Sequence, residues 1–292
     1  MIWKPTLAAT LPAGADLRAL PYPLYASPKI DGVRATVQGG KVLTRNGTEI
    51  RNLQVRAKFG GTSYEGLDGE LTAGPPYASD VFNATVRVTQ KRDADAGGVR
   101  FNVFDYRVPG TFRDRLGLLT VKFNGQGVNI VRQTRITGPD QLVQYERATL
   151  DKGYEGVMLR RCDAGAYLDK RSTVREFALV KLKRFDYGEA KIQAIYYLEH
   201  NLNEERVSGN RRSSKKSGLV VDKERVGRAV LEDVKTKCVF GVSVAGDQAQ
   251  LWPGWQDGPQ WLGRVVRYKY QNVGMKGETP RFPTATFEEL LG

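Results

Sequence analysis

The stretch Lys29-Ile30-Asp31-Gly32-Val33-Arg34 decides how the rest of the chain is interpreted. It places a primary amine, a carboxylate, a glycine and a guanidinium within one short segment. This set suits covalent capture of a nucleotidyl group, in which an activated amine attacks a phosphorus atom. Taken alone, the same residues also fit a charged hairpin edge with a turn glycine. The choice between the two depends on what the remaining sequence provides.

Further segments supply the groups that such a lysine needs. In chain order they are Thr44-Arg45-Asn46-Gly47, Leu67-Asp68-Gly69-Glu70-Leu71, Val103-Phe104-Asp105-Tyr106, Tyr154-Glu155-Gly156-Val157-Met158 and Leu179-Val180-Lys181-Leu182-Lys183-Arg184-Phe185. The series resembles the ordered motifs of the covalent nucleotidyltransferases, the superfamily of ATP-dependent DNA ligases, RNA ligases and mRNA capping enzymes. The arrangement is most similar to a small ATP-dependent DNA ligase of the bacteriophage type. An ordered set is far harder to obtain by accident than one motif.

The resemblance implies an α+β chain of two domains. Residues 1–186 are expected to form an adenylation (nucleotidyltransferase) domain, with ATP-grasp-like antiparallel sheets and helices. Residues 187–292 are expected to form an OB-fold β-barrel, because the chain becomes rich in short strand patterns after Phe185. These patterns cover Glu189 to Leu198, Leu219 to Val221, Gly227 to Glu232, Cys238 to Val244, Ala249 to Trp252 and Trp261 to Tyr270.

Within the first domain, local patterns predict several elements. Val33 to Val37 and Lys41 to Thr44, joined by Gln38-Gly39-Gly40, indicate a β-hairpin that places Lys29 at the mouth of a sheet. Further strands are predicted at Arg100 to Tyr106, Gly156 to Leu159 and Leu179 to Phe185.

Two helices are predicted from apolar spacing and capping signals. One covers Asp140 to Lys152, with Asp140 as its cap and Leu142, Tyr145 and Thr149 on one face. The other covers Ser79 to Arg92, with Ser79 or Asp80 as its cap and Phe82 and Val86 on one face.

The charge balance predicts a polyanionic partner. Lys and Arg number 45 against 32 Asp and Glu, a net charge of +13, and the isoelectric point is near 9.7. Such a basic chain favours nucleic acid as its partner. The resemblance narrows this partner to nicked double-stranded DNA, bound by a monomer.

Cysteine and histidine usage excludes several classes of chemistry. Cys162 and Cys238 are far apart and lack the spacing of a metal knuckle, so they are expected to be free thiols. His200 is the only histidine, which excludes any mechanism that needs two imidazoles. No apolar run is long enough to span a bilayer, and residues 1–14 lack an export-signal pattern. A cytoplasmic location follows, in the host cytoplasm if the chain is phage-encoded.

Capture of a nucleotide by Lys29 requires an unprotonated amine. At the ordinary lysine pKa near 10.4, only about one amine in a thousand is neutral near pH 7. Neighbouring cations lower a lysine pKa, and Lys181, Lys183 and a metal ion are the candidates. The resemblance implies that Lys29 attacks the α-phosphorus of ATP, forms a lysyl-adenylate and releases pyrophosphate.

The resemblance also assigns roles to the residues of the other motifs. Phe104 would stack on adenine, Glu70 would accept a hydrogen bond from a ribose hydroxyl, and Glu155 would hold Mg²⁺, with Mn²⁺ as the alternative ion. A core position for Phe104 stays open. Lys181 and Lys183 are two apart on a predicted strand, so both would address the α-phosphate from one face.

Arg34, Arg45 and Asp31 are expected to matter most after the covalent step, and the resemblance also counts Arg34 among the cofactor-binding residues. A guanidinium can hold two phosphate oxygens with directed hydrogen bonds. Arg34 and Arg45 would therefore hold the 5′-phosphate of a nick while AMP is transferred to it. Asp31 would assist the metal or the 3′-hydroxyl in the final step, or it is only a turn carboxylate.

A basic segment, residues 201–217, interrupts the predicted barrel strands. It is rich in Ser, Gly and Asn and carries Arg206, Arg211, Arg212, Lys215 and Lys216. It is either a solvated loop or a cationic loop that clamps duplex DNA by following its phosphates.

One motif common in the superfamily, Arg-x-Asp-Lys near the carboxyl terminus, is missing. Arg281, in the ligase-like sequence Arg281-Phe282-Pro283, or Lys276 could supply the cation. Two alternative enzymes remain, an RNA ligase and an mRNA-capping-type guanylyltransferase, since both use the same covalent lysine. A third alternative is a catalytically inactive protein that only binds nicks.

Overall fold

The computed structural model describes residues 2–203, 216–245, 261–276 and 279–291. The chain divides into two compact units, Met1–Lys183 and Arg184–Gly292, called here the first and second units. The division falls just before the boundary expected after residue 186.

The first unit contains two five-stranded sheets and four α-helices along its described residues. The strands are β1 (Ala9–Thr10), β2 (Leu24–Pro28), β3 (Val33–Gln38), β4 (Lys41–Thr44), β5 (Leu67–Ala73), β6 (Val99–Tyr106), β7 (Asn129–Ile130), β8 (Thr134–Ile136), β9 (Val157–Arg161) and β10 (Val180–Leu182). The helices are α1 (Leu53–Phe59), α2 (Val81–Gln90), α3 (Phe112–Phe123) and α4 (Pro139–Asp151). The strand order is β1-β10-β9-β2-β8 in sheet A and β4-β3-β5-β6-β7 in sheet B.

The β3–β4 hairpin forms where the sequence predicted it. Gln38 pairs with Lys41, which leaves Gly39 and Gly40 as the turn. Their φ angles are 57° and 72°. A two-residue hairpin turn of this kind needs positive φ at both positions, and glycine adopts it without steric cost.

Each sheet of the first unit packs on its own apolar core. Phe59, Phe101 and Phe123 are fully or almost fully buried against sheet B. Leu24, Leu142 and Leu159 are fully buried against sheet A. Because α4 contributes Leu142 and α3 contributes Phe123, the helices cover the sheets through the apolar faces that their sequences provide.

The structure corrects two details of the predicted helices. In α2 the buried residues are Val81, Thr85 and Thr89, so the predicted apolar face of Phe82 and Val86 is wrong. The threonines are tolerated in the core because their hydroxyls donate to backbone carbonyls, Thr85 to Val81 at 2.6 Å and Thr89 to Thr85 at 2.8 Å.

The predicted caps are also corrected. The N-cap of α4 is Gly138, with Pro139 at the first helical position, so Asp140 lies in the first turn instead of capping the helix. Asp80 occupies the N-cap position of α2, but its side chain accepts no capping hydrogen bond.

The second unit is a closed five-stranded barrel. Its strands are β11 (Asp186–Asn201), β12 (Leu219–Asp233), β13 (Val239–Ala245), β14 (Val265–Lys276) and β15 (Thr279–Leu291), which close in the order β11-β12-β13-β15-β14. The pairs are antiparallel except β13 with β15. Leu231, Val266 and Tyr268 lie in its buried core. A small five-stranded barrel is the architecture of the OB-fold, so the predicted α+β class with a carboxyl-terminal barrel is confirmed.

The barrel strands differ from the sequence prediction in three places. The two segments predicted between residues 219 and 232 form one strand, β12, with irregular pairing to β11. The last predicted strand begins at Val265 instead of Trp261, and β15 was not predicted. The segment at residues 249–252 lies outside the described residues. Within the described part of the chain, no helix has the length and apolar character needed to cross a bilayer.

Candidate active site

Lys29 follows the last residue of β2 and faces the start of β9. Its backbone N–H donates to the carbonyl of Gly156 at 2.8 Å, and its carbonyl accepts from the N–H of Glu155 at 3.3 Å. A Cβ on Gly156 would meet the Leu182 carbonyl, so glycine is needed where these two segments of the backbone come close. Backbone pairing therefore brings together two motifs that are distant in sequence.

The side chains at this junction form a three-membered ionic cluster. One carboxylate oxygen of Glu155 pairs with Lys29 Nζ and the other with Lys183 Nζ. All three side chains are largely buried, with exposures of 22% for Lys29, 5% for Glu155 and 10% for Lys183. Burial opposes ionisation of Glu155, but the two ammonium groups outweigh it and lower the pKa of this carboxyl.

Lys181 and Lys183 both reach this region, although β10 ends at Leu182, between them. Burial lowers the pKa of Lys181, and the nearby charge of Lys29 lowers it further. Burial also lowers the pKa of Lys183, against the attraction of Glu155, and Lys29 and Lys181 add to the decrease. The site is therefore cationic, and Lys181 and Lys183 are less basic than lysines in water.

Lys29 borders a cavity of about 220 Å³, called here the central cavity. The cavity collects residues from both sheets and is lined by Leu7, Ala8, Ser27, Pro28, Lys29, Ile30, Arg34, Arg45, Glu70, Phe104, Met158, Arg160, Arg171, Leu179 and Lys181. Apolar walls with a few convergent charges are typical of small-molecule sites.

Glu70 projects from β5 into the central cavity. Burial raises its pKa to about 7, despite the opposing charges of Arg34 and Lys29. The negative charge of Asp31 also raises the pKa of Glu70, so Asp31 lies within electrostatic reach of Glu70. Gly32 allows β5 to approach, because a Cβ there would meet the Leu71 carbonyl. Glu70 therefore changes its protonation state near neutral pH.

A β-bulge turns Phe104 toward the central cavity. Asp68 pairs with Asp105 and Gly69 pairs with Val103, which leaves Phe104 as the extra residue of β6. The Arg34 guanidinium lies 4.6 Å from the centre of the Phe104 ring. Phe104 is thus a cavity-lining residue and not part of the fully buried core.

Arg34 is held by a buried carboxylate. Its Nε and Nη2 donate to the two oxygens of Asp68 at 2.6 and 2.7 Å, and Nη2 also donates to the Thr6 carbonyl at 3.2 Å. The Tyr167 hydroxyl donates to Asp68 at 2.6 Å. Burial disfavours the charge on Arg34, but Asp68 outweighs it and raises the arginine pKa. Nε and Nη2 of Arg34 are therefore already engaged, through three hydrogen bonds.

A second buried carboxylate, Asp105, lies beside the first. Arg115 Nε donates to Asp105 Oδ1 at 2.9 Å, and Arg160 Nη1 donates to Oδ2 at 2.8 Å. The three side chains are at most 5% exposed. Both ionic groups were missed from sequence, although Asp105 belongs to a quoted motif.

Arg45 and Arg171 complete the cationic rim. Both are exposed and both line the central cavity. Arg171 Nη1 donates to the Ala8 carbonyl at 2.6 Å. The structure thus gathers Lys29, Arg34, Arg45, Glu70, Phe104 and Lys181 around one cavity, with Glu155 paired to Lys29 and Lys183 paired to Glu155.

Most of the predicted basic loop lies outside the residues that the structure describes. Arg206, Arg211, Arg212 and Lys215 lie outside the described residues, and only the backbone of Lys216 is described. Lys276 and Arg281 lie on β14 and β15, without described side chains.

The donor set fits Mg²⁺ only in its phosphate-bridging mode. Among the residues that the structure describes, no group of three or more His, Cys, Asp or Glu side chains could enclose a metal. Mg²⁺ commonly binds through one or two carboxylates, substrate phosphates and retained waters. The carboxylates that could serve this mode are Glu155, whose two oxygens pair with Lys29 and Lys183 in this structure, and Asp31 of the Lys29 motif.

The architecture recurs in solved DNA ligases. The DNA ligase-adenylate of Chlorella virus is 29% identical, with a TM-score of 0.52, and the match covers 98% of this chain and 99% of that chain. The resemblance to the small ATP-dependent DNA ligases is confirmed. A structure of Lig E DNA ligases, at 23% identity, shares the fold with a TM-score of 0.72 and 98% coverage of both chains. No protein-family model matches the chain, and no curated protein matches it at a significant level.

Proposed function

We propose that the chain is an ATP-dependent DNA ligase that seals nicks in duplex DNA. It would join a 3′-hydroxyl to a 5′-phosphate through a lysyl-AMP and a DNA-adenylate. The observation that carries the proposal is the meeting of Lys29, Glu155 and Lys183 at the edge of the central cavity, which also holds Glu70 and Phe104. The similarity to the Chlorella virus DNA ligase-adenylate along nearly the whole chain supports it.

In the first step, the Lys29 amine attacks the α-phosphorus of ATP. A bond forms between Nζ and phosphorus, the bond to the β-phosphate oxygen breaks, and pyrophosphate leaves. Glu155 has a lowered pKa and stays ionised, so it orients Lys29, and the proton that Nζ releases passes to solvent. Lys181 and Lys183 stabilise the negative charge that develops on the α-phosphate.

Phe104 and Glu70 bind the nucleoside part of ATP. The Phe104 ring offers a flat surface to adenine, and such stacking contributes about 1–3 kcal/mol per base in nucleic-acid sites. Glu70 accepts a hydrogen bond from a ribose hydroxyl. Because its pKa is about 7, the accepting ionised form predominates only above neutral pH.

In the second step, AMP passes from Lys29 to the 5′-phosphate of the nick. Arg45 is the main candidate to hold that phosphate, because it is exposed at the central cavity. Arg34 contributes less, since Asp68 occupies its Nε and Nη2. In the third step the 3′-hydroxyl attacks the DNA-adenylate and expels AMP, assisted by Asp31.

The metal ion of this reaction would be Mg²⁺, with Mn²⁺ as the alternative, held by Glu155 and Asp31 together with substrate phosphates. It would neutralise phosphate charge in the covalent step.

The second unit would bind duplex DNA through the OB-fold, helped by the basic loop at residues 201–217. Removing the charges of Arg211, Arg212, Lys215 and Lys216 is expected to weaken nick binding and to reduce its salt dependence, with little effect on adenylation. An unchanged salt slope would contradict the clamp. The monomeric state and the cytoplasmic location stay predictions.

Nick sealing tests the proposal against its alternatives. The purified chain is incubated with Mg²⁺, either ATP or GTP, and otherwise identical duplexes with a nick in a DNA or an RNA strand. We expect sealing of the DNA nick with ATP. Preferential sealing of the RNA nick would indicate an RNA ligase, labelling by GTP a guanylyltransferase, and nick binding without any covalent labelling an inactive binder.

A further inference from the structure

Asp105 is a buried charge that the proposed reaction does not use. Its side chain is fully buried and accepts from Arg115 Nε at 2.9 Å, from Arg160 Nη1 at 2.8 Å and from the N–H of Tyr106 at 2.8 Å. Burying an ionised group is costly unless it is paired and fully hydrogen-bonded. The buried Asp105 carboxylate is therefore a candidate for a functional role as well as a structural one.

The two arginines that hold Asp105 differ in where they lie. Arg115 belongs to α3, and its Nη1 is engaged by the carbonyls of Gly110 and Gly165, each at 2.9 Å. Arg160 belongs to β9 of sheet A and lines the central cavity, with its guanidinium 4.4 Å from the centre of the Phe112 ring. The pair between Asp105 and Arg160 therefore joins sheet B to sheet A beside the cavity.

Asp105 also follows the bulged residue directly. The pairing between β5 and β6 skips Phe104, so the local ladder does not fix the direction of its ring. A bulge re-aims the side chain it carries, and its geometry must be held by other contacts. Asp105 is adjacent to the bulged residue and is itself fixed by Arg115 of α3 and Arg160 of β9.

We propose that Asp105 is a positioning residue for nucleotide binding. Its ion pairs with Arg160 and Arg115 hold the β6 bulge in the form that turns Phe104 toward the base. The inference rests on the proposed function, because the stacking role of Phe104 belongs to it. Asp105 itself does not touch the nucleotide.

A double-mutant cycle separates positioning from simple structural support. The variants are Phe104→Ala, Asp105→Asn and the double variant of the full chain, and the measurement is KM for ATP in formation of the covalent adduct. Each single change is expected to raise KM at least about fivefold, the effect of losing one stacked base. The double variant should resemble Phe104→Ala alone. Multiplication of the two effects would overturn the proposal.

A core variant controls for loss of stability. Leu119→Ala removes a fully buried side chain of α3, the helix that carries Arg115, and Leu119 does not line the central cavity. It is expected to lower thermal stability and leave KM for ATP unchanged. A KM increase as large as that of Asp105→Asn would show that general loosening is sufficient, and positioning would be rejected.

Arg160→Gln keeps the proposal testable if Asp105→Asn does not fold. This change leaves the pair between Asp105 and Arg115 in place. It is expected to raise KM for ATP at least about threefold and to add nothing in the Phe104→Ala background. An unchanged KM, or a full additional effect in that background, would refute positioning. Failure of the unmodified chain to become adenylated bears instead on the proposed function.

Discussion

Glu70 gives the structure a pH dependence that can be calculated. Its pKa is raised from an ordinary 4.5 to about 7, chiefly by burial. Between these values Glu70 binds more protons in the folded state than in the unfolded state, so its contribution to stability is largest below about pH 4.5 and is lost as the pH rises through about 7. At about 1.4 kcal/mol per pH unit, the loss amounts to about 3 kcal/mol. Glu70 is partly exposed, so solvent screening makes this an upper limit.

Replacing Glu70 by Gln removes this titration. The difference in unfolding free energy between the variant and the unmodified chain is expected to shift in favour of the variant by up to about 3 kcal/mol between pH 5 and pH 8. Urea unfolding of both proteins at several pH values measures it. Glu65→Gln is the matched control, because Glu65 is an exposed carboxyl just before β5. Parallel pH profiles of the unfolding free energy for Glu70→Gln and the unmodified chain would refute this contribution of Glu70.

Three further substitutions test separate parts of the site. Asp68→Asn leaves Arg34 without its buried partner and should cost about 3–5 kcal/mol of stability in thermal unfolding. Adding Arg34→Met should restore most of this loss, and full stability of the single variant would contradict the pairing. Glu155→Gln removes the group that orients Lys29 and should slow adduct formation at least about tenfold, and an unchanged single-turnover rate argues against this role. Arg45→Ala should leave adduct formation intact and slow AMP transfer to a nick about tenfold to a hundredfold, so equal loss in both steps places Arg45 elsewhere in the reaction.

Local elements with strong signals were predictable from sequence. Glycines at positions 39 and 40 fix the turn of the β3–β4 hairpin, and alternating apolar residues mark β6. α3 was missed although Thr111 and Asp114 form a capping box, which is a sequence signal for a helix start. β15 was missed because Pro280 and Pro283 interrupt its pattern, as prolines in strands are uncommon away from edges and bulges.

The composition of the site was more predictable than its internal pairing. The ordered motifs brought Lys29, Glu155 and Lys183 together without any spatial information. The pair between Arg34 and Asp68 was not foreseen, although Arg34 lies opposite Glu70 and so diagonally from Asp68. The β6 bulge depends on the register with β5, which periodicity within one strand does not reveal.

The covalent state of Lys29 tests the central claim most directly. The purified chain is incubated with Mg²⁺ and ATP, digested, and mapped by mass spectrometry, with Lys29→Ala as the control. The account predicts a mass increase equal to one AMP on the peptide that contains Lys29, and no such increase in the control. No modification, or modification of Lys181 while Lys29 stays unmodified, would contradict it.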